Sequence, residues 1–327
     1  MTRSIRGALA LVATLVLAIA VAACGSSSSS SSNTSSSSGS SSSKGTLITK
    51  NSANSGKSVT IGTKNFPEQY ILGEILKQGL EAAGYTVSNK GSLGSEVVAF
   101  KALKGGQVQA YPEYTGTALT SFYHVKVSAV PKTPVAAYAE LKPKLAKDKI
   151  TAMPQAPFDN TYRLGMTKAT AKKLGNPTQI SQLKGKSQKL SINGFPECQQ
   201  RPDCLLGVQK TYGLKFKKFV ASQDPYSVLD KGSADVAFVF TTDAALTTGK
   251  YAILGDDKHL FPPYHITYMF RDDALKKLGP DVKKTVVKIE LPLTNKVMGE
   301  LNSRVVLDKQ KPSDVAHAYL KAYHFVK

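Results

Sequence analysis

The sequence predicts an α/β protein of two lobes with a cleft between them, and three observations support this fold class. From residue 58 onward, strand-like segments alternate with segments of helical period, which is typical of a parallel sheet covered by helices. A second series of this kind begins near residue 189. Two proline-containing segments, around residues 155 and 263, each precede an apolar strand. We therefore expect lobe 1 to comprise residues 58–157 and 265–327, lobe 2 to comprise residues 158–264, and two strands to cross between them.

The first predicted elements belong to lobe 1. The stretch "SVTIGT" alternates apolar and polar residues and predicts a strand that ends near Thr63. Asn65 followed by Glu68 has the spacing of a capping box, which predicts a helix that ends at Gly84. A short strand follows, and Ser95 is the expected start of a second helix. The next strand leads into "YPEYTGTAL", where tyrosines, a carboxylate and threonines stand in place of ordinary turn residues.

The remaining elements continue the same pattern. A lysine-rich helix is expected from Tyr138 to Lys149, and the C-terminal part from residue 272 is predicted to be mostly helical, with Ser313 as a cap. Lobe 2 is predicted to alternate strands and helices in the order "KLSING", "CLLGVQKTYG", "FKKFVA", "PYSVLDKG" and "DVAFVF".

A weak internal similarity links the two lobes. Eight residues after Gly106 the chain reaches Tyr114 and then Thr115, and eight residues after Gly232 it reaches Phe240. The same pattern of a strand and its exit therefore occurs twice, although chance resemblance is an alternative.

The strand exits predict the ligand site, because ligands of open parallel sheets bind beyond the carboxyl ends of the strands. Four aromatic faces around one gap can enclose a quaternary ammonium group, while lysine, arginine and threonine side chains can hold an anionic group. Ordinary core packing is the alternative role for each aromatic ring. The residues at the exits and just beyond the two crossings are Lys64, Tyr114, Thr117, Tyr162, Arg201, Phe240 and Tyr264.

The N-terminal residues predict export. Arg3 and Arg6 precede a short apolar run that ends in "VAAC", which is typical of a lipoprotein signal peptide over residues 1–23 with a lipidated Cys24. A signal anchor, or a cleaved signal with an incidental cysteine, is the alternative. The serine-rich stretch that follows predicts a flexible tether over residues 24–57. We therefore expect a protein outside the cytoplasm, held to a membrane by lipid.

Composition and cysteine content exclude several other classes. The chain has 43 Lys+Arg against 23 Asp+Glu, a net charge of +20, but the lysines are scattered and no nucleic-acid-binding motif is present, so no nucleic-acid partner is expected. Cys198 and Cys204 are an even pair in an exported protein and predict a disulfide, with two free thiols as the alternative. Neither these cysteines nor the five histidines have the spacing of a metal site, and no cofactor is expected.

Four stretches resemble the substrate-binding proteins of osmoprotectant ABC importers, the glycine betaine, choline and carnitine class. They are "IGTKNFPEQYILGEIL", "GSEVVAFKALKGGQVQAYPEYTGTAL", "ECQQRPDCLLGVQKTYGL" and "DDKHLFPPY". The resemblance covers nearly everything after residue 57 and implies a type II periplasmic-binding-protein fold. It also implies an aromatic cage of Tyr114, Tyr162, Phe240 and Tyr264, a carboxylate site of Lys64, Thr117 and Arg201, and a backbone contact from Asn160.

One position departs from the family pattern. The family has tyrosine where this chain has Phe240, which keeps the cage but leaves the preferred ligand open. The resemblance implies a monomer that delivers its ligand to an ABC permease. No catalytic motif of a hydrolase, kinase or dehydrogenase is present, so an enzyme is not expected, while an extracellular sensor or adhesin on the same fold is an alternative.

Overall fold

The computed structural model describes residues 46–327, and the predicted signal peptide, Cys24 and most of the predicted tether lie outside this part. The strands are β1 (Ser58–Thr63), β2 (Thr86–Ser92), β3 (Ala110–Tyr114), β4 (Ile150–Ala152), β5 (Tyr162–Thr167), β6 (Ser191–Gly194), β7 (Lys218–Ala221), β8 (Val236–Phe240), β9 (Tyr251–Leu254) and β10 (Ile266–Arg271). The α-helices are α1 (Pro67–Ala82), α2 (Glu96–Lys104), α3 (Thr115–Thr117), α4 (Pro134–Lys147), α5 (Lys168–Lys173), α6 (Leu205–Tyr212), α7 (Pro225–Asp230), α8 (Asp272–Leu278), α9 (Asp281–Glu290), α10 (Asn295–Val306) and α11 (Pro312–Ala322).

The strands form two five-stranded sheets with the same internal plan. The first has the order β2-β1-β3-β10-β4 and the second the order β7-β6-β8-β5-β9. In each sheet the first three strands are parallel, while the last two pairings are antiparallel. The sheets are therefore mixed rather than wholly parallel.

The shared plan gives the internal similarity a structural basis. β3 and β8 are the third strands of their sheets, and a short helical turn follows each, directly after β3 and from Ala244 after β8. Tyr114 and Phe240 are the last residues of these strands, so they occupy equivalent positions. Each also pairs with the crossing strand of its sheet, Tyr114 with Ile266 and Phe240 with Tyr162.

Two neighbouring segments connect the sheets. One leads from β4 to β5 and the other from β9 to β10, and an antiparallel bridge joins Asp159 of the first to His265 of the second. The Asn160 N–H donates to the Tyr264 carbonyl at 3.2 Å, and the Tyr264 N–H donates to Asp159 Oδ1 at 2.7 Å. The chain returns to the first sheet at β10, as predicted for the C-terminal part. The exact limits of the two lobes stay a prediction.

Three local expectations are wrong. Asn65 does not cap α1, because Pro67 occupies the first turn, Phe66 is the N-cap and Glu68 is engaged elsewhere. Ser313 lies inside α11, which begins at Pro312 after Lys311.

The third concerns the tether, whose predicted end at residue 57 lies too far along the chain. Ile48 is buried, and its N–H donates to the Phe325 carbonyl at 2.9 Å. Asn54 is also buried, and its side-chain amide donates to the Ala83 carbonyl at 2.9 Å. Residues just before β1 are therefore part of the folded body.

None of the helices described between residues 46 and 327 combines the length and apolar character that crossing a membrane requires.

Candidate ligand-binding site

One cavity of about 370 Å³ lies at the carboxyl ends of the parallel strands. Its wall includes all eight residues that the sequence and the family resemblance single out: Lys64, Tyr114, Thr117, Asn160, Tyr162, Arg201, Phe240 and Tyr264. These side chains come together because β1, β3 and β8 all end at this cavity, and both connecting segments pass beside it. Their role in ligand binding stays a prediction.

Tyr162 is in contact with two of the other three predicted cage rings. The Tyr162 ring centroid lies 4.8 Å from that of Phe240, with 40° between the ring planes. It lies 5.1 Å from the Tyr264 centroid, with the rings almost perpendicular at 89°. The fourth ring, Tyr114, has its face beside Lys64, whose Nζ lies 4.5 Å from the ring centroid.

Sequence reasoning missed three aromatic side chains of the wall, Phe66, Phe195 and Tyr226, of which the first two lie beside predicted cage rings. Phe66 lies beside Tyr114, with ring centroids 6.2 Å apart, and Phe195 stacks beside Tyr162 at the same distance. Both follow the ends of equivalent strands, since Phe66 comes shortly after β1 and Phe195 directly after β6. The strand-exit argument could therefore have identified them.

Arg201 lies in a loop that a disulfide between Cys198 and Cys204 closes, as predicted for this cysteine pair. Its guanidinium is buried and donates from Nε and Nη2 to the two carboxylate oxygens of Asp203, at 2.9 and 2.5 Å. It also donates from Nη1 to Glu96 Oε1 at 2.7 Å, which joins this loop to the start of α2.

The charge of Arg201 sets the protonation of Asp203. Burial alone would raise the pKa of the Asp203 carboxyl, but Arg201, with added hydrogen bonds from Tyr264 and Thr120, holds that pKa below its usual value. Asp203 is therefore a carboxylate, and its charge in turn raises the already high pKa of Arg201 despite the opposing effect of burial.

Lys64 is the second cation of the wall, and it also has a carboxylate partner. Its Nζ donates to Glu113 Oε1 at 2.5 Å, and both side chains are buried. Glu113, in the middle of the "YPEYTGTAL" stretch, is therefore the ion-pair partner of Lys64.

Several donors remain available for a ligand. Three of the five N–H groups of Arg201 and one of the three of Lys64 are used within the described part of the chain. The Thr117 hydroxyl has no hydrogen-bond partner there. An anionic group of a ligand can therefore be bound, but it shares both cations with protein carboxylates.

Glu68 connects parts of the wall that are far apart in sequence. Its Oε1 accepts hydrogen bonds from the Tyr114 hydroxyl at 2.6 Å and from Asn160 Nδ2 at 2.7 Å. Its Oε2 accepts from the Thr242 hydroxyl at 2.6 Å and from Asn302 Nδ2 at 2.8 Å. One buried carboxylate thus fixes two predicted site residues and ties α1 to the turn after β8.

No group of three or more histidine, cysteine, aspartate or glutamate side chains in the described range has the arrangement of a metal site. Nor does the wall present a nucleophile paired with a base. The arrangement is suited to holding a small molecule between aromatic rings and hydrogen-bond donors.

The chain is similar to proteins of known function. A family model described as the substrate binding domain of ABC-type glycine betaine transport systems matches residues 57–322. A glycine-betaine-binding protein of Pseudomonas aeruginosa is 30% identical over 284 residues, which cover 83% of this chain and 89% of that protein. An ergothioneine transport permease/ergothioneine binding protein of Helicobacter pylori is 29% identical over 279 residues, covering 84% of this chain and 49% of that protein.

A solved structure shares the fold. The crystal structure of a glycine betaine/carnitine/choline ABC transporter protein superimposes with a TM-score of 0.66 and 27% identity, over 81% of this chain and 98% of that chain. Together with the two mixed sheets, this likeness confirms the predicted two-lobe type II periplasmic-binding-protein fold.

Proposed function

Because the chain belongs to the family of substrate-binding domains of ABC-type glycine betaine transport systems, we propose that it captures quaternary ammonium osmoprotectants outside the cytoplasm. It delivers them to a membrane permease as the binding component of an importer. The observation that carries this proposal is the convergence of four predicted cage rings and three predicted anion ligands on one cavity.

The proposed binding mode divides a zwitterion between two groups of residues. The aromatic faces of Tyr162, Phe240 and Tyr264, with Tyr114, surround the trimethylammonium group, and each face contributes about 0.5 to 2 kcal/mol when water is excluded. Thr117 and the remaining N–H groups of Arg201 and Lys64 bind the carboxylate.

Closure around the ligand is expected to move lobe 1 (residues 58–157 and 265–327) against lobe 2 (158–264). Three hydrogen bonds cross between the two proposed lobes and would form on closure: Arg201 donates to Glu96, Thr242 donates to Glu68, and Thr120 donates to Asp203 at 3.1 Å. We expect a monomer to perform this motion.

Calorimetric titration with glycine betaine, choline, carnitine and ergothioneine tests the function. We expect saturable binding, with zwitterions bound more tightly than choline.

Phe240→Tyr should change the glycine betaine affinity by less than about tenfold, because either ring offers a face to the cation. Phe240→Ala should weaken binding more than tenfold, whereas the control Tyr323→Ala, on a ring outside the cavity, should leave it unchanged. Absence of binding by every trimethylammonium compound, or intact binding by Phe240→Ala, would contradict the proposal.

A second candidate role is that of an extracellular sensor, since the same binding chemistry can serve signalling. Uptake of radiolabelled ligand into cells separates the two roles. Loss of uptake on deletion of the gene supports the importer, whereas normal uptake with a lost response to the ligand supports the sensor.

We also propose that Cys24 carries a lipid. The short apolar run and the residues "VAAC" before it support this, as does the position of Cys24 ahead of a serine-rich stretch. Cys24→Ala should release the protein from the membrane fraction or leave the precursor unprocessed, and Cys24→Ser should do the same. Mass spectrometry showing an unmodified Cys24 in protein that still sediments with membranes would contradict the anchor.

A further inference from the structure

The cavity extends past the eight predicted residues. Its remaining wall includes the segments 223–226 and 243–245, together with Asn302 and Val306 of α10. A volume of about 370 Å³ falls in the range of pockets that hold drug-sized ligands. Glycine betaine carries only one methylene and a carboxylate besides its trimethylammonium group, so the cavity has room for a longer molecule.

Asp243 is fixed in this additional wall by two hydrogen bonds to a single oxygen. Its Oδ2 accepts from the Phe240 backbone N–H and from the Tyr226 hydroxyl, each at 2.8 Å. These two bonds pair the Phe240 N–H at the end of β8 and fix the orientation of the Asp243 carboxyl group. Because Tyr226 donates its hydroxyl proton here, that hydroxyl is not available to a ligand as a donor.

The other oxygen of Asp243 is open. Within residues 46–327, Oδ1 has no hydrogen-bond partner, yet it is not one of the unpaired side-chain atoms that are shut off from solvent. Asp243 lines the cavity, and we infer from the solvent access of Oδ1 that this oxygen faces it. Burial, opposed in part by the Phe240 and Tyr226 hydrogen bonds, raises the pKa of this carboxyl to about 7.

Asn302 also lines this additional wall, where the network around Glu68 holds it. Its side chain is 5% exposed, and its Nδ2 donates to Glu68 Oε2 and to the Thr242 carbonyl, at 2.8 and 3.0 Å. This pairing fixes the amide, and its Oδ1 is buried without a partner among the described residues. Because this oxygen is shut off from solvent, a ligand in the cavity does not reach it, unlike Asp243 Oδ1.

We propose that Asp243 forms a second subsite that accepts a hydrogen bond from a hydroxyl or ammonium group of a ligand whose trimethylammonium group lies in the cage. The proposal rests on the proposed function, because it takes the cage as the primary site. The ligand class is trimethylammonium compounds with an additional hydrogen-bond donor on the chain. Alanines 244 and 245 and Val306 provide the apolar wall along which that chain lies.

Two pairs of ligands that differ by one donor test the subsite by calorimetry. The first pair is carnitine and γ-butyrobetaine, which lacks the hydroxyl. The second is Nε-trimethyllysine and 6-(trimethylammonio)hexanoate, which lacks the α-ammonium. In the wild-type protein, we expect the donor-bearing member of at least one pair to bind five- to tenfold more tightly.

Asp243→Asn is the informative variant, because its amide oxygen can still accept from Phe240 and Tyr226 while an NH₂ group replaces Oδ1. In this variant, the preference for the donor-bearing ligand of each pair should fall to less than twofold. Glycine betaine affinity should change less than threefold, and this result would show that the cage is intact. Asp224→Asn is the matched control: this second aspartate of the wall is exposed, and its Oδ1 caps α7 by accepting from the Ser227 N–H at 3.0 Å. It should retain the preference.

The outcomes separate the two proposals. If glycine betaine binds but neither wild-type pair differs, or if the preference persists in Asp243→Asn, the subsite is refuted while the proposed function stands. If no trimethylammonium compound binds the wild-type protein, the proposed function fails first. Loss of glycine betaine binding in Asp243→Asn assigns the residue to the fold of the turn and also refutes the subsite.

Discussion

Arg201→Met should lower the free energy of unfolding by about 3 to 5 kcal/mol at pH 7, the range observed when one partner of a buried ion pair is removed. Arg201 is 7% exposed and is bonded to two buried carboxylates, Asp203 and Glu96. Without the guanidinium, Asp203 keeps hydrogen bonds only from neutral groups and loses the charge that stabilises its ionised form. Chemical denaturation followed by circular dichroism measures the change.

The loss of stability in Arg201→Met should become smaller as the pH falls. Arg201 holds the pKa of Asp203 below its usual value despite burial, so this carboxylate stabilises the wild-type protein above the unfolded-state pKa of 3.8. That stabilisation disappears as the pH falls through the folded-state pKa. In Arg201→Met the carboxyl can take up a proton more easily, and the gap between wild type and variant should therefore narrow toward pH 4.

The chain contains a matched control for this prediction. Arg271 donates to both oxygens of Asp273, two residues later, at 3.0 Å for each bond, which repeats the Arg201–Asp203 arrangement at the surface. The Asp273 side chain is 57% exposed, so water screens this pair. Arg271→Met should cost less than about 1 kcal/mol. Equal losses in the two variants would show that burial does not determine the contribution of Arg201.

Arg201 should also affect which ligand is preferred. At a temperature where the variant is folded, Arg201→Met should weaken glycine betaine binding by more than tenfold and choline binding by less, since choline has no carboxylate. The difference between the two ligands should therefore shrink. Unchanged glycine betaine affinity in a folded variant would remove Arg201 from the carboxylate site.

The proximity of the predicted site residues could be inferred from the sequence, because the carboxyl ends of parallel strands meet at one edge of a sheet. Tyr114 and Phe240 could be placed in this way, and the similarity around them anticipated the equivalence of β3 and β8. The same reasoning applied to every strand exit would have added Phe66 and Phe195.

Other features of the site could not be read from local patterns. Glu68 fits a capping box by spacing, but its partners Tyr114 and Asn302 lie 46 and 234 residues away. Glu96 meets Arg201 across 105 residues. Such contacts depend on how the two sheets face each other, and nothing near these residues in sequence distinguishes them from ordinary surface acids.

The antiparallel crossing strands were missed for a related reason. A strand pattern specifies an alternating face but not a direction, and β5 and β10 enter their sheets from the connecting segments rather than from a helix. Likewise, residues 46–57 look like the end of a polar tether, because the burial of Ile48 depends on a backbone contact with Phe325 at the other end of the chain.

Glu290 should destabilise the protein as the pH rises, and Glu290→Gln should relieve this effect. Glu290, at the end of α9, is 2% exposed, and neither carboxylate oxygen has a hydrogen-bond partner in the described structure. The neighbouring hydroxyls of Tyr268 and Tyr319 donate to the carbonyls of Leu72 and Ile289 instead, at 2.8 and 2.6 Å. Burial therefore raises the pKa of Glu290 well above its usual value, because the neutral form costs less to bury.

The sign of the pH effect follows from this raised pKa. The folded state binds the Glu290 proton more tightly than the unfolded state, so the stabilisation is complete below the unfolded-state pKa of 4.5 and is lost as the pH rises toward the folded-state pKa. Glutamine is neutral and similar in shape to the protonated acid, so the variant should match the wild type at pH 4. At pH 8 it should be more stable by about 1 to 3 kcal/mol, the usual cost of a buried group without a partner.

Urea unfolding of wild type and variant at pH 4, 6 and 8 measures this divergence. Glu81→Gln is the control, because Glu81 is 39% exposed and only pairs with Lys77 on the surface of α1, so its effect should stay within about 0.5 kcal/mol at each pH. Glycine betaine affinity should not change in Glu290→Gln, since Glu290 does not line the cavity. A stability difference that is constant with pH would mean that Glu290 is already ionised in the folded protein, with a compensating donor that stabilises the charge.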